Sequence, residues 1–120
     1  MIDHLSISIS DMAASKRFYE AALKPLGYSV IMDFGDHAAG LGEGGKPDFW
    51  IGKGAPRPSH VAFRGPDRAT VDAFYAAAIA AGGRDNGAPG PRAQYHAGYC
   101  GAFVLDPDGY NVEAVCHQAP

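Results

Sequence analysis

The chain has 120 residues, 47% hydrophobic and 19% charged, with a formal net charge of -3, enough for one soluble domain with a real core. Its ten Lys and Arg residues are scattered and form no basic stripe of the kind a phosphate backbone requires, so nucleic acid is not an expected partner. No apolar run reaches membrane-spanning length, the opening MIDHLSISIS lacks the regions of a secretory signal, and two cysteines do not make a disulfide scaffold, so the expectation is a cytoplasmic protein that meets no membrane.

Residues 2–10 alternate, with Leu5, Ile7 and Ile9 on one face and His4, Ser6 and Ser8 on the other, the pattern of a half-buried strand. Asp11 stands where an N-cap belongs. Residues 12–24 carry Ser15, Phe18, Tyr19, Ala22 and Leu23 at helical spacing and end before Pro25 and Gly27. Three strand-like segments follow, at about 28–34, 37–42 and 48–52, separated by glycine-rich turns.

The order then repeats. Sliding the chain by 56 residues lays His4 on His60, Asp11 on Asp67, Phe18-Tyr19 on Phe74-Tyr75 and Gly27 on Gly83. Residues 59–64 form a strand, Asp67 a cap, and Val71, Phe74, Tyr75, Ala78 and Ile79 the apolar stripe of a helix closed by Gly82-Gly83. The segment GGRDNGAPGPRAQYHAG reads as a loop holding at most one short strand. GYCGAFVLD and YNVEAVCH make a hairpin around Asp106-Pro107-Asp108-Gly109, with Asp, Pro and Gly at favoured places of a type I turn. If Asp106 pairs with Gly109, Cys100 and Cys116 face opposite sides; if Gly109 forms a bulge, they stand opposite each other. Reduced thiols are expected in either case. The order β-α-β-β-β occurs twice, over about 1–54 and 58–120. It predicts a single α+β domain with helices on one face of an antiparallel or mixed sheet.

His4 and His60 both lie on the strand face opposite the apolar residues, and Glu113 lies opposite Val112 and Ala114. Two imidazoles and a carboxylate can therefore converge from different strands. That set binds Fe, Mn, Ni or Zn as divalent ions and leaves coordination positions open. Tyr95, His96 and Tyr99, just before the closing hairpin, are candidate acids, bases or substrate clamps. Arg92 is a candidate partner for a substrate carboxylate, and Trp50 a candidate apolar wall of the pocket. His37 and His117 have no identifiable partner in the sequence.

These residues resemble the vicinal oxygen chelate superfamily, which includes glyoxalase I, extradiol dioxygenases, and fosfomycin- and bleomycin-resistance proteins. The resemblance spans essentially the whole chain and is carried by IDHLSISISD, FYEAAL, SHVAF and, most specifically, FVLDPDGYNVEAV. It implies paired βαβββ modules forming a U-shaped curved sheet with helices on the outer face. It implies a divalent metal held by His4, His60 and Glu113, and a homodimer in which His4 of one copy joins His60 and Glu113 of the other. The function it implies is a metal-dependent lyase, isomerase or ring-cleaving dioxygenase acting on a small substrate with vicinal oxygens. The alternative is a non-catalytic small-molecule binding or resistance protein of the bleomycin-resistance type. At the place of the family's fourth ligand, on PDFWIG, the best alignment sets Trp50, which stands against lactoylglutathione isomerisation.

Overall fold

The computed structural model describes residues 1–117. The first half contains β1 (Leu5–Ile9), α1 (Met12–Leu23), a single 3-10 turn (Lys24–Leu26), β2 (Ser29–Asp33), β3 (Ala38–Gly42) and β4 (Phe49–Lys53). The second contains β5 (His60–Arg64), α2 (Arg68–Ala80), β6 (Arg84–Pro91), β7 (Cys100–Leu105) and β8 (Asn111–Cys116). Each half makes its own four-stranded sheet, in the orders β1-β4-β3-β2 and β5-β8-β7-β6. Within each, the first strand runs parallel to the fourth and the remaining pairs are antiparallel. The α+β class and the βαβββ repeat are thus present. Among the described residues no helix is long and apolar enough to cross a membrane.

The local causes are those the sequence suggests. Asp11 Oδ1 accepts the Ala14 N–H at 3.1 Å and Asp67 Oδ1 the Thr70 N–H at 2.8 Å, so both helices begin on a side-chain cap, each contributing about 1 kcal/mol. The core gathers under the helices: Ile7, Ile9, Phe49 and Ile51 from the first sheet, Ala102, Val104, Val112 and Ala114 from the second, and Phe18, Tyr19, Leu23, Val71 and Phe74 from α1 and α2. Tyr75 is only half-buried and Ile79 is exposed at the edge of the expected stripe.

Two segments differ from expectation. His4 lies one residue before β1 rather than inside a strand. The segment read as a loop holds an eight-residue strand, β6. Its Gly and Pro residues suit an edge: the register with β7 shifts on both sides of Gly87, whose φ is 147°, and Pro89 and Pro91 are tolerated because β6 is the outermost strand.

The closing hairpin adopts the bulged alternative. The Asp106 N–H donates to the Tyr110 carbonyl at 3.0 Å and the Gly109 N–H to the Asp106 carbonyl at 3.0 Å, with Gly109 at φ 94°. Gly109 is the extra residue, and the left-handed conformation it holds favours glycine. The consequence is the pairing Cys100↔Cys116, with both thiols free and buried.

The halves are joined through buried polar contacts and aromatic packing. Tyr110 Oη donates to the Ser8 carbonyl at 2.7 Å and accepts the Arg57 N–H at 3.0 Å. Phe49 and Phe63 meet edge to face at 5.2 Å. At Gly83 a Cβ would come within 2.4 Å of Val104 and 2.7 Å of Phe18, so the absence of a side chain there lets α1, α2 and β7 close together. β1 and β5 each lie at an edge of their sheet, and they carry or adjoin the two histidines of interest.

Candidate functional site

Glu113 sits in the middle of β8, on the face turned away from α2, and its side chain is only 2% exposed. A buried carboxylate is costly unless both oxygens have partners. Here both do. Oε1 stands 3.0 Å from His60 Nε2, and Oε2 accepts the Tyr99 hydroxyl. Burial, then the adjacent Glu113, pushes the Tyr99 phenol above its ordinary range, so it stays protonated and remains the donor.

Strand pairing brings these groups together. Glu113 is in register with Ala62 on β5 and with Phe103 on β7. His60 pairs with Asn111, whose backbone carbonyl lies 3.0 Å from His60 Nδ1. A carbonyl only accepts, so Nδ1 carries a hydrogen, and Nε2 faces Glu113, to which it can donate a second ring hydrogen or beside which, without one, it can share an ion with Oε1. The Phe103 ring stacks on the imidazole with centroids 6.1 Å apart. Gly101 clears the space: a Cβ there would lie 2.9 Å from Glu113 Oε2 and 3.2 Å from the Tyr99 ring.

Beside this centre lies an open cleft of about 310 Å³ lined by Asn86, Gly87, Arg92, Tyr95, Phe103 and Asn111. Arg92 lies over the Phe103 ring at 5.5 Å. It donates to the carbonyls of Ala88 at 2.8 Å, Gly90 at 2.9 Å and Pro91 at 3.3 Å, so it fastens its own loop as well as lining the cleft. Tyr95 is exposed and packs edge to face on Tyr99 at 4.9 Å. His96 packs on Tyr99 at 5.2 Å and reaches His117 rather than Glu113.

The other two predicted residues are on the first sheet. Trp50 pairs with Ser6 as Glu113 pairs with Ala62, so it occupies the position equivalent to Glu113. Its ring stacks on Phe34 at 6.2 Å and lies where a side chain on Gly40 would be, 2.9 Å from that Cβ position. His4 is half-exposed, with Nδ1 2.7 Å from Asp3 Oδ1. Among the described residues no three His, Cys, Asp or Glu side chains come together. Of the expected trio, one chain therefore assembles His60 and Glu113 and keeps His4 apart.

The donor set fits a divalent ion. Two ligand atoms about 2.1 Å from such an ion and at 90–109° stand about 3.0–3.4 Å apart, and Nε2 and Oε1 have that spacing. A ring nitrogen tied to a carbonyl is also how metal-binding imidazoles are usually oriented. The sequence missed Phe103, Gly101, Asn86 and the Asn111 carbonyl. Only parity pointed to the first two, through a register that depends on the bulge at Gly109.

A protein-family model described as Glyoxalase/Bleomycin resistance protein/Dioxygenase superfamily matches residues 1–114. The chain belongs to this superfamily. Solved members of the superfamily share its fold. A glyoxalase/bleomycin resistance protein from Albidiferax ferrireducens T118 is 26% identical, with a TM-score of 0.79 over 95% of this chain and 96% of that one. A superfamily enzyme from Burkholderia phytofirmans PsJN is 20% identical, with a TM-score of 0.72 over 98% of both chains. A lactoylglutathione lyase from Agrobacterium tumefaciens is 17% identical, with a TM-score of 0.71 over 97% of this chain and 92% of that one. No curated protein matches the sequence.

Proposed function

We propose that this superfamily member is a divalent-metal-dependent enzyme acting on a small substrate with vicinal oxygens, a lyase/isomerase or a ring-cleaving dioxygenase. We further propose that it works as a homodimer in which His4 of a second copy completes the site of His60 and Glu113. The observation that carries the reading is the pairing of His60 Nε2 with Glu113 Oε1 at 3.0 Å, with Nδ1 turned to a backbone carbonyl. A solvated surface histidine has no need of that arrangement.

A divalent ion held there would act as a Lewis acid toward two adjacent oxygens. The rest of the work falls to the chain. The Asn111 carbonyl holds the His60 ring in one orientation. Tyr99, which keeps its own proton, donates its hydroxyl to Glu113 Oε2 and fixes that carboxylate's orientation. Phe103 and Tyr95 give the cleft its aromatic side, and Asn86, Arg92 and Asn111 its polar side. His96, turned to His117, supports Tyr99 by packing and does not reach the reacting position.

One observation favours a second reading, a small-molecule binding protein without chemistry. Trp50 on Phe34 presents a stacked aromatic surface where the repeat would otherwise supply a second carboxylate. Elemental analysis of purified wild type beside Glu113→Ala separates the two. Bound metal in the wild type and a lower content in the variant support the metal-dependent reading. Equal metal content in both removes Glu113 from the site. Dioxygen uptake with a catechol, or turnover of a glutathione hemithioacetal, then identifies the branch.

A further inference from the structure

His117 follows the last strand and His96 lies in the 92–99 loop, yet His96 Nε2 and His117 Nδ1 are 2.9 Å apart. We propose that these two imidazoles form a second metal site, with ligands distinct from His60 and Glu113, that takes a borderline first-row dication such as Zn(II), Ni(II) or Cu(II). His96 Nδ1 lies 2.7 Å from the Ala97 carbonyl and therefore carries the hydrogen, leaving Nε2 a lone pair directed at His117. This repeats the orientation of His60 by Asn111. With both rings neutral, the hydrogen between the two nitrogens belongs to His117 Nδ1. Its shift to Nε2 of the same ring leaves two lone pairs facing each other across the 2.9 Å gap, with no net change of charge. Ligand nitrogens about 2.05 Å from a tetrahedral Zn(II) stand about 3.3 Å apart, so the two exposed rings part by a few tenths of an ångström and turn off the N···N line to converge on one ion.

The loop is built before any ligand arrives. The Arg92 N–H donates to the Tyr99 carbonyl at 2.9 Å, the Tyr95 N–H to the Arg92 carbonyl at 2.9 Å and the Tyr99 N–H to the His96 carbonyl at 3.2 Å. A rigid loop lowers the entropic cost of chelation. Both imidazoles are exposed, which leaves room for water or an outside donor to fill the remaining positions. Arg64 lines the hollow beside His117. Its charge opposes any dication, so retention rests on the two nitrogen lone pairs, and the oxygen-seeking ions Mg(II) and Ca(II) are not retained. The Tyr99 ring lies edge-on to both imidazoles, at 5.2 and 5.5 Å, so an ion here also secures the residue that holds Glu113.

The test is Zn(II) titration of the full chain by calorimetry, with Mg(II) as control, in a His60→Ala/Glu113→Gln background that lacks the first site. One equivalent of Zn(II) per chain and no Mg(II) binding are expected. Adding His117→Ala or His96→Ala should abolish the Zn(II) equivalent with an unchanged far-UV circular dichroism spectrum. Co(II) should broaden the His96 and His117 ring resonances together. A background protein that binds no Zn(II), or whose binding survives both histidine substitutions, overturns the proposal. Metal content unaffected by the background substitutions would overturn the first site instead, and leave this one standing.

Discussion

Tyr19, on the helix of the first half, donates its hydroxyl to Asp106 Oδ2 in the hairpin turn of the second half, 2.5 Å away. Asp106 is 1% exposed, and burial pushes its carboxyl above the ordinary range while the Tyr19, Tyr110 and Asp108 donors pull it back. A carboxyl raised on folding contributes stability below its unfolded pKa that is lost as pH rises through the folded value. Tyr19→Phe removes one restraining donor and raises the folded pKa further. The variant should lose about 1–3 kcal/mol at neutral pH and distinctly less near pH 4.5, where the carboxyl is more protonated. Urea unfolding at the two pH values measures it, and an equal loss at both would refute the coupling.

Gly101→Ala should disturb the centre while leaving His60 and Glu113 themselves unsubstituted. The added methyl would sit 2.9 Å from Glu113 Oε2, and that carboxylate is held from both sides, so it has no free direction in which to swing. A fall of about 1–3 kcal/mol together with reduced metal content is expected, from thermal melting and elemental analysis. Wild-type values for both would show that the carboxylate is less confined than described.

Tyr99→Phe keeps the ring and its packing but removes the donor on Glu113 Oε2. Loss of a partner that orients a ligand costs about 10–100-fold in metal affinity. Chelator competition should show a weakening in that range with the fold intact by circular dichroism. Unaltered affinity would reduce Tyr99 to a packing residue.

His4 and His60 occupy equivalent places in the repeat yet do not join within one chain. If a second copy supplies His4, His4→Ala and His60→Ala chains, each also carrying His117→Ala to remove the other proposed site, should each fail to hold metal alone and regain it when unfolded and refolded together. The mixed dimer contains one site with all three ligands intact. Failure of the mixture to regain metal, with each chain dimeric by light scattering, would place the third ligand elsewhere.

The parts of the fold that obey simple periodicity were legible from the sequence. Asp11 and Asp67 marked the helix starts, and the 56-residue offset revealed the repeat. Parity alone put His60 and Glu113 on one face. Less visible was what depends on register. β6 hid behind Gly87, Pro89 and Pro91 because edge strands tolerate residues that usually break strands. The facing of Cys100 and Cys116 hinged on one bulge. Phe103 and Gly101 carry no chemical signature, and only the strand pairing around Glu113 reveals that one stacks on His60 and the other makes room for Glu113. Arg92 illustrates the converse: a residue chosen for its charge turns out to hold the carbonyls of its own loop.

The equivalence of Trp50 and Glu113 has a consequence for ancestry and selectivity. A duplicated unit begins with two like halves. Once one half bears an indole where the other keeps an acid, any chamber made from one of each gains a polarity: one wall that grips and one that stacks. A guest molecule entering such a chamber has a head and a tail imposed on it, and discrimination between guests can evolve on the aromatic wall while the gripping wall stays constant.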